Sequence, residues 1–169
     1  MNPRKILSIL LIIGMILSLY LLYEHFSTTT SKLCTFGENF NCGIVNKSPY
    51  ANLDGIFYLL TIDLNLNLPL INISDINVIL DFLTANAFLG FLTLLLLFFL
   101  NKNKDRKVLW IKKEQNRKWT LGILIFSIIY GSIYLLAIQH FILHTYCLFC
   151  ILLDLIIIAS FIVALKIKN

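Results

Sequence analysis

Four cysteines carry the reactive chemistry of this 169-residue chain. Cys147 and Cys150 stand three residues apart in 144-HTYCLFCILLDL-155, and Cys34 and Cys42 bracket the stretch 34-CTFGENFNC-42. A Cys-x-x-Cys pair suits reversible disulfide chemistry, one half of a metal site, or simple packing of two small side chains. Asp154 follows Cys150 by four residues, which on a helix puts a carboxylate on the same face one turn further along. An acid within an apolar run is costly there, and so is itself a candidate for function.

The elements that must position these residues are unusually apolar. The chain is 59% hydrophobic and 14% charged, against about half and a quarter for a water-soluble domain. The excess is gathered into four runs, about 6–23, 79–100, 119–143 and 146–165, each close to the ~20 residues that cross a bilayer. The first run is too long for a signal-peptide core, and Glu24-His25-Phe26 offers no small-residue cleavage site, so it reads as a retained helix. The fold class this predicts is all-α: one membrane domain over 1–169, a four-helix bundle with an outer-face loop or half-helix segment between helices 1 and 2.

Charge sets the expected orientation. The net charge of +5 does not point to nucleic acid, because 12 of the 14 Lys/Arg lie in three short segments: Arg4 and Lys5, the eight from Lys102 to Lys118, and Lys166 and Lys168. Positive residues collect on the cytoplasmic side. Both termini and the basic loop 101–118 are therefore expected inside, and the long loop 24–78 outside. That places all four cysteines on or near the outer face of a multi-pass cell-membrane protein, where disulfides persist. Within the outer loop, 56-IFYLLTIDLNLNLPLINISDIN-77 is interrupted by Asp63, Asn65, Asn67 and Pro69, and reads as an amphipathic element on the outer surface.

The two pairs differ in setting. With Thr145 as N-cap, Cys147 and Cys150 fall in the first turns of the last helix, where the helix terminus favours a thiolate. Cys34 and Cys42 lie in a Gly- and Asn-containing loop free to swing. Inert packing, two structural disulfides, a zinc site and a redox relay all use such residues. Inert cysteines would not gather on one face. Cys-x7-Cys is a poor second half for zinc, and free thiolates are disfavoured in an oxidising compartment, so no metal is expected.

At this point the sequence resembles the vitamin K epoxide reductase (VKOR) family, in its bacterial and archaeal disulfide-forming branch. The matching features are Cys34-x7-Cys42 after the first run, Ser48 six residues later in 48-SPYANLDGI-56, and Cys147-x-x-Cys150 opening the last run. The resemblance implies a bundle that holds a quinone, such as ubiquinone or menaquinone, near the Cys-x-x-Cys. It implies oxidation of a thioredoxin-like partner and reduction of that quinone. Carried over, Cys147 and Cys150 are the active pair with Cys150 nearest the quinone. Cys34 and Cys42 are the shuttle pair, and Ser48 is a supporting polar contact. Members often carry a fused thioredoxin-like domain; with the chain ending at Asn169, the partner is expected to be a separate protein. Where the vitamin K-reducing branch has a tyrosine four residues after the Cys-x-x-Cys, this chain has Asp154. No counterpart is recognised for that branch's quinone-contacting asparagine before the second helix.

Further expectations rest on position. Asp154 is a candidate proton donor, or else a carboxylate paired by Gln139 or His140. Phe141, Tyr146 and Phe149, near the Cys-x-x-Cys, and Tyr50 on the loop side are candidate walls of a quinone pocket. His25, His140 and His144 stand near the outer interface, as proton relays or thiolate partners or else as plain boundary residues, and Asp81 marks that interface rather than a site. Asn46-Lys47-Ser48 and Asn72-Ile73-Ser74 match the glycosylation pattern, with the first read as chance. The competing function is a non-enzymatic scaffold or transporter subunit braced by two disulfides.

Overall fold

Helix α1 (Pro3–Phe26) begins where its sequence provides both start signals: Pro3 at the first helical position and Asn2, whose side chain accepts from the Arg4 amide at 3.1 Å. In the computed structural model of the chain, residues 2–28, 34–36, 39–64, 76–102 and 116–167 are described. Most of the basic loop 101–118 lies outside them, as do Asn65, Asn67, Pro69 and the Asn72-Ile73-Ser74 match.

After α1, two strands of two residues each, β1 (Thr35–Phe36) and β2 (Phe40–Asn41), pair antiparallel as a hairpin. Asn41 then caps α2 (Cys42–Asn46) by accepting from the Ile44 amide at 3.2 Å. A single 3-10 turn (Pro49–Ala51) leads to α3 (Gly55–Tyr58), which runs on into a π turn over Leu59–Asp63. Helices α4 (Val78–Thr84) and α5 (Asn86–Lys102) are separated at Ala85. The break has a visible cause. The Leu53 amide donates to the Thr84 carbonyl at 3.0 Å, and Asn52 bridges to Ala85, so an outside segment takes bonds that a continuous helix would use.

Helix α6 (Asn116–Ser127), a π-helical stretch (Ile128–Leu135) and α7 (Leu136–Phe141) form one helical span of 26 residues. Helix α8 (Leu148–Leu165) completes the chain. Among the described residues, three helical spans, α1, Asn116–Phe141 and α8, are long and apolar enough to cross a membrane, with mean hydropathies of 2.6, 2.3 and 3.0. Helix α5 is a shorter apolar helix of 17 residues.

Helix α1 packs along α5 and α8, and α6 packs on α5 and α8. Leu7, Leu11, Leu94, Leu97, Leu124, Ile157 and Ala164 form the shared core. The opposite faces leave Ile16, Phe126, Ile129, Ile133 and Leu155 exposed. Such a belt would drive association in water but is the surface hydrocarbon requires. The protein is thus an all-α, multi-pass membrane protein. A second, smaller core contains Leu21, Cys34, Cys42 and Cys147, with Val45, Ala87, Phe149, Cys150 and Leu153 packed against it. The cysteines are core residues of their own end of the molecule.

Candidate active site

All four cysteines are paired as disulfides, Cys34 with Cys42 and Cys147 with Cys150, with Cα separations of 5.5 and 5.2 Å. The Sγ atoms of Cys34, Cys42 and Cys147 lie within 4.8 Å of one another, and all three residues are buried. Three elements converge to achieve this: Cys34 leads into the hairpin, Cys42 opens α2 behind it, and Cys147 caps α8. Backbone bonds tie them together: the Asn41 amide donates to the Tyr146 carbonyl at 3.0 Å, and the Tyr146 amide donates to Asn39 at 2.9 Å.

The start of α8 differs from the expected one. Thr145 lies before the helix, its amide donating to the Gln139 carbonyl at 3.2 Å. Cys147 is itself the N-cap: its Sγ accepts from the Cys150 amide at 3.1 Å. The Cys147 amide is satisfied by Gln139 Oε1 at 2.8 Å. His144, with φ 49°, closes the turn between α7 and α8. A sulfur in this position faces free helix N–H groups, which favour its anionic form when the disulfide opens.

Cys150 faces a cavity of about 400 Å³. Its walls come from α1, the α2 region, α5, the π-helical stretch and α8, and include Ser48, Tyr50, Asn86, Tyr130 and Asp154. Ser48 stands on the wall, but its hydroxyl donates to the Val45 carbonyl at 2.8 Å. Asp154 is one turn below Cys150 and faces the π-helical stretch. A Cβ at Gly131 would stand 3.0 Å from its Oδ1, so the glycine makes room for the carboxylate. The two partners expected for it are engaged elsewhere, Gln139 with Cys147 and His140 with the Tyr146 hydroxyl at 2.6 Å.

Three of the four aromatic residues expected on the wall are not among its lining residues. Phe141 is 71% exposed and packs on His140. Tyr146 precedes α8 and meets Phe40 and His140. Phe149 turns toward α1 and packs edge-on against Tyr20, ring centroids 4.9 Å apart. Nearness in sequence to the Cys-x-x-Cys did not translate into nearness to the cavity, because helical phase sends successive residues to different faces. Only Tyr50 is in place.

The cavity instead uses residues that the sequence reading passed over. Asn86 heads α5; its Nδ2 donates to the Tyr50 carbonyl, and its Oδ1 accepts from the Tyr130 hydroxyl, both at 2.9 Å. A polar residue at the head of an unbroken apolar run was the available signal. Asn46, 8% exposed, has its side-chain oxygen 3.9 Å from Cys150 Sγ and its amide nitrogen buried without a hydrogen-bond partner. Burial on this wall agrees with reading its glycosylation match as chance. Asp81, expected to mark the interface, is bonded to His25 and Asn52. Glu24 is buried on α1 and accepts from the Tyr20 hydroxyl.

The sequence pattern described as the vitamin K epoxide reductase family matches residues 5–165, nearly the whole chain. No curated protein matches the sequence significantly.

Proposed function

The chain belongs to the vitamin K epoxide reductase family, and from that premise we propose that it is a membrane thiol–quinone oxidoreductase. It oxidises a separate thioredoxin-like protein and reduces a quinone, supporting disulfide formation on the outer side of the cell membrane. Both termini are then cytoplasmic, and α5, though short, is the fourth member of a four-helix bundle. The observation that carries the reading is the meeting of the two disulfides: Cys34, Cys42 and Cys147 sulfurs within 4.8 Å of one another, beside a cavity that Cys150 lines.

Those contacts support a relay. A partner thiolate attacks the Cys34–Cys42 disulfide, giving a mixed disulfide, then an oxidised partner and a reduced loop pair. A loop thiolate next attacks Cys147 Sγ, the nearest sulfur of the second pair. The Cys147–Cys150 bond breaks, and its leaving sulfur, Cys150, becomes a thiolate facing the cavity. The second loop thiol then attacks the mixed disulfide, closing Cys34–Cys42 and leaving Cys147 and Cys150 as a dithiol that carries the pair's two electrons and two protons.

The walls fit a quinone. They are largely apolar, and the unpartnered amide nitrogen of Asn46 is a buried donor suited to a carbonyl oxygen. Asn86, with one N–H committed to Tyr50, has its other to offer at the cavity wall. A bound quinone supplies the final two-electron, two-proton acceptor. Asp154, on the same wall, is a source for one of those protons.

The test is oxidation of a reduced thioredoxin-like protein by the purified chain, with and without added quinone. Quinone-dependent formation of the partner's disulfide is expected. A scaffold or transporter subunit with structural disulfides would instead keep both pairs oxidised under thiol trapping, at reducing and oxidising poise alike.

A further inference from the structure

His25 and Asp81 form a polar cluster on the cavity side of the outer end that none of the steps above uses. His25 lies near the end of α1 and Asp81 in the first turn of α4. His25 Nε2 stands 3.1 Å from Asp81 Oδ1, and His25 Nδ1 stands 2.5 Å from the Asn46 carbonyl oxygen. Asn52 Nδ2 donates to the same Asp81 oxygen at 2.7 Å.

Both ring nitrogens therefore face oxygens. The Asn46 carbonyl only accepts, so Nδ1 must carry hydrogen. An ionised carboxylate also only accepts, so either Nε2 carries hydrogen or Asp81 does. In both arrangements the cluster holds one proton more than a neutral imidazole and a carboxylate together. Without it, two lone pairs would face each other beside a His25 side chain only 10% exposed, an arrangement that leaves buried polar atoms unsatisfied.

That proton stands at the same cavity as the chemistry. His25, Asn46 and Cys150 share the cavity wall. Asn46 touches both of the others, through its carbonyl to His25 and through its side-chain oxygen to Cys150 Sγ. We infer that the His25–Asp81 pair is a proton-exchange group of this site, passing its proton to a quinone in the cavity and being recharged by the thiol proton of Cys150. The inference rests on the function proposed above.

The balance closes. Forming the Cys147–Cys150 bond from two thiols releases two electrons and two protons, and reduction of a quinone to a hydroquinone takes up both. His25 gives one proton to the cavity and regains one from Cys150, so the cluster ends each cycle as it began. Asp154 on α8 serves the other proton. Asp81 from α4 and Asn52 act through His25 and are positioning residues. The remaining titratable neighbours are Glu24 on α1, bonded by Tyr20, and Tyr50 and Tyr130 on the wall.

Two measurements test this. In quinone-free protein, nitrogen NMR of the histidine ring and the infrared carboxylic-acid band should find the extra proton on Nε2 or on Asp81. Finding neither overturns the inference. In single-turnover oxidation of the reduced protein by a short-chain quinone, His25→Gln should slow the reaction about 10²-fold, at the lower end of general acid–base effects, with partial rescue by added imidazole. Asp81→Asn should slow it about tenfold and alter its pH profile. Wild-type rates and profiles in these variants overturn the inference alone, whereas an inactive wild type overturns the proposed function itself. Should His25→Gln fail to fold, Asp81→Asn decides by the same outcomes.

Discussion

Cys147 and Cys150 are joined twice, by their disulfide and by the bond from the Cys150 amide to Cys147 Sγ at 3.1 Å. Reduction removes the first link, while the second gains strength as the acceptor becomes a thiolate. The helix therefore holds the two sulfurs in place whether the disulfide is closed or open. Cys147 is capped and faces the loop pair, and Cys150 is turned to the cavity.

Cys150→Ala should accordingly abolish quinone reduction while leaving membrane insertion intact. With its own partner gone, Cys147 should be captured by Cys34 or Cys42, since all three sulfurs lie within 4.8 Å. Mass spectrometry of the alkylated variant should find an interpair disulfide and one free loop cysteine. Wild-type turnover in this variant would sink the assignment.

Gln139 is 2% exposed and satisfies the amide of fully buried Cys147. Gln139→Met keeps the length of the side chain but removes the acceptor. The orphaned N–H should cost about 1–3 kcal/mol, read as a lower thermal midpoint of the oxidised protein in detergent. An unchanged midpoint would show that the bond does not hold the turn.

Much of the architecture was legible because it is local. Long apolar runs announce the spanning helices, and the spacing of Cys147 and Cys150 announces the disulfide at the head of α8. What was not legible depends on distant backbone. The separation of α4 from α5 at Ala85 has no proline or glycine to mark it; it coincides with the bond from the Leu53 amide to the Thr84 carbonyl, in a bridge that sets Asn52 opposite Ala85. The His25–Asp81 bond spans 56 positions. The aromatic wall was misjudged since Phe149, two residues from Cys147, is turned by α8 onto Tyr20.

Asn86 ties Tyr50 in the loop to Tyr130 in the π-helical stretch. Asn86→Leu removes both bonds, at about 1 kcal/mol each, and takes a polar group from the cavity wall. The expected result is a raised KM for quinone with a smaller change in kcat. A loss confined to kcat, with KM unchanged, would place Asn86 outside the binding wall.

Gly55 is close to Tyr50 from the other side, where an added Cβ would stand 2.6 Å from the Tyr50 Cα and 3.3 Å from the Pro49 carbonyl. Neither backbone atom can yield without moving the Ser48–Tyr50 turn that forms part of the wall. Gly55→Ala should therefore destabilise the protein by about 1–3 kcal/mol, the usual cost of overpacking. Wild-type thermal stability would show that the turn is free to shift.

Gly131 and Asp154 offer the sharpest separation of structure from chemistry. Asp154 lies one turn beyond Cys150, and the glycine opposite leaves its carboxylate the room it occupies, 3.0 Å from where a Cβ would stand. Asp154→Asn keeps the shape and removes the proton. If Asp154 supplies a proton, this variant should slow quinone reduction about 10²-fold and change the pH profile of turnover, with stability little altered. Gly131→Ala keeps the acid but crowds it, so it should lower stability and turnover together and leave the form of the pH profile intact. Combined, the two should be less than additive, since an amide is as crowded as a carboxylate but has no proton-transfer role to lose. An Asp154→Asn protein with the wild-type rate and pH profile would remove the proton-donor role and leave Asp154 as a wall residue.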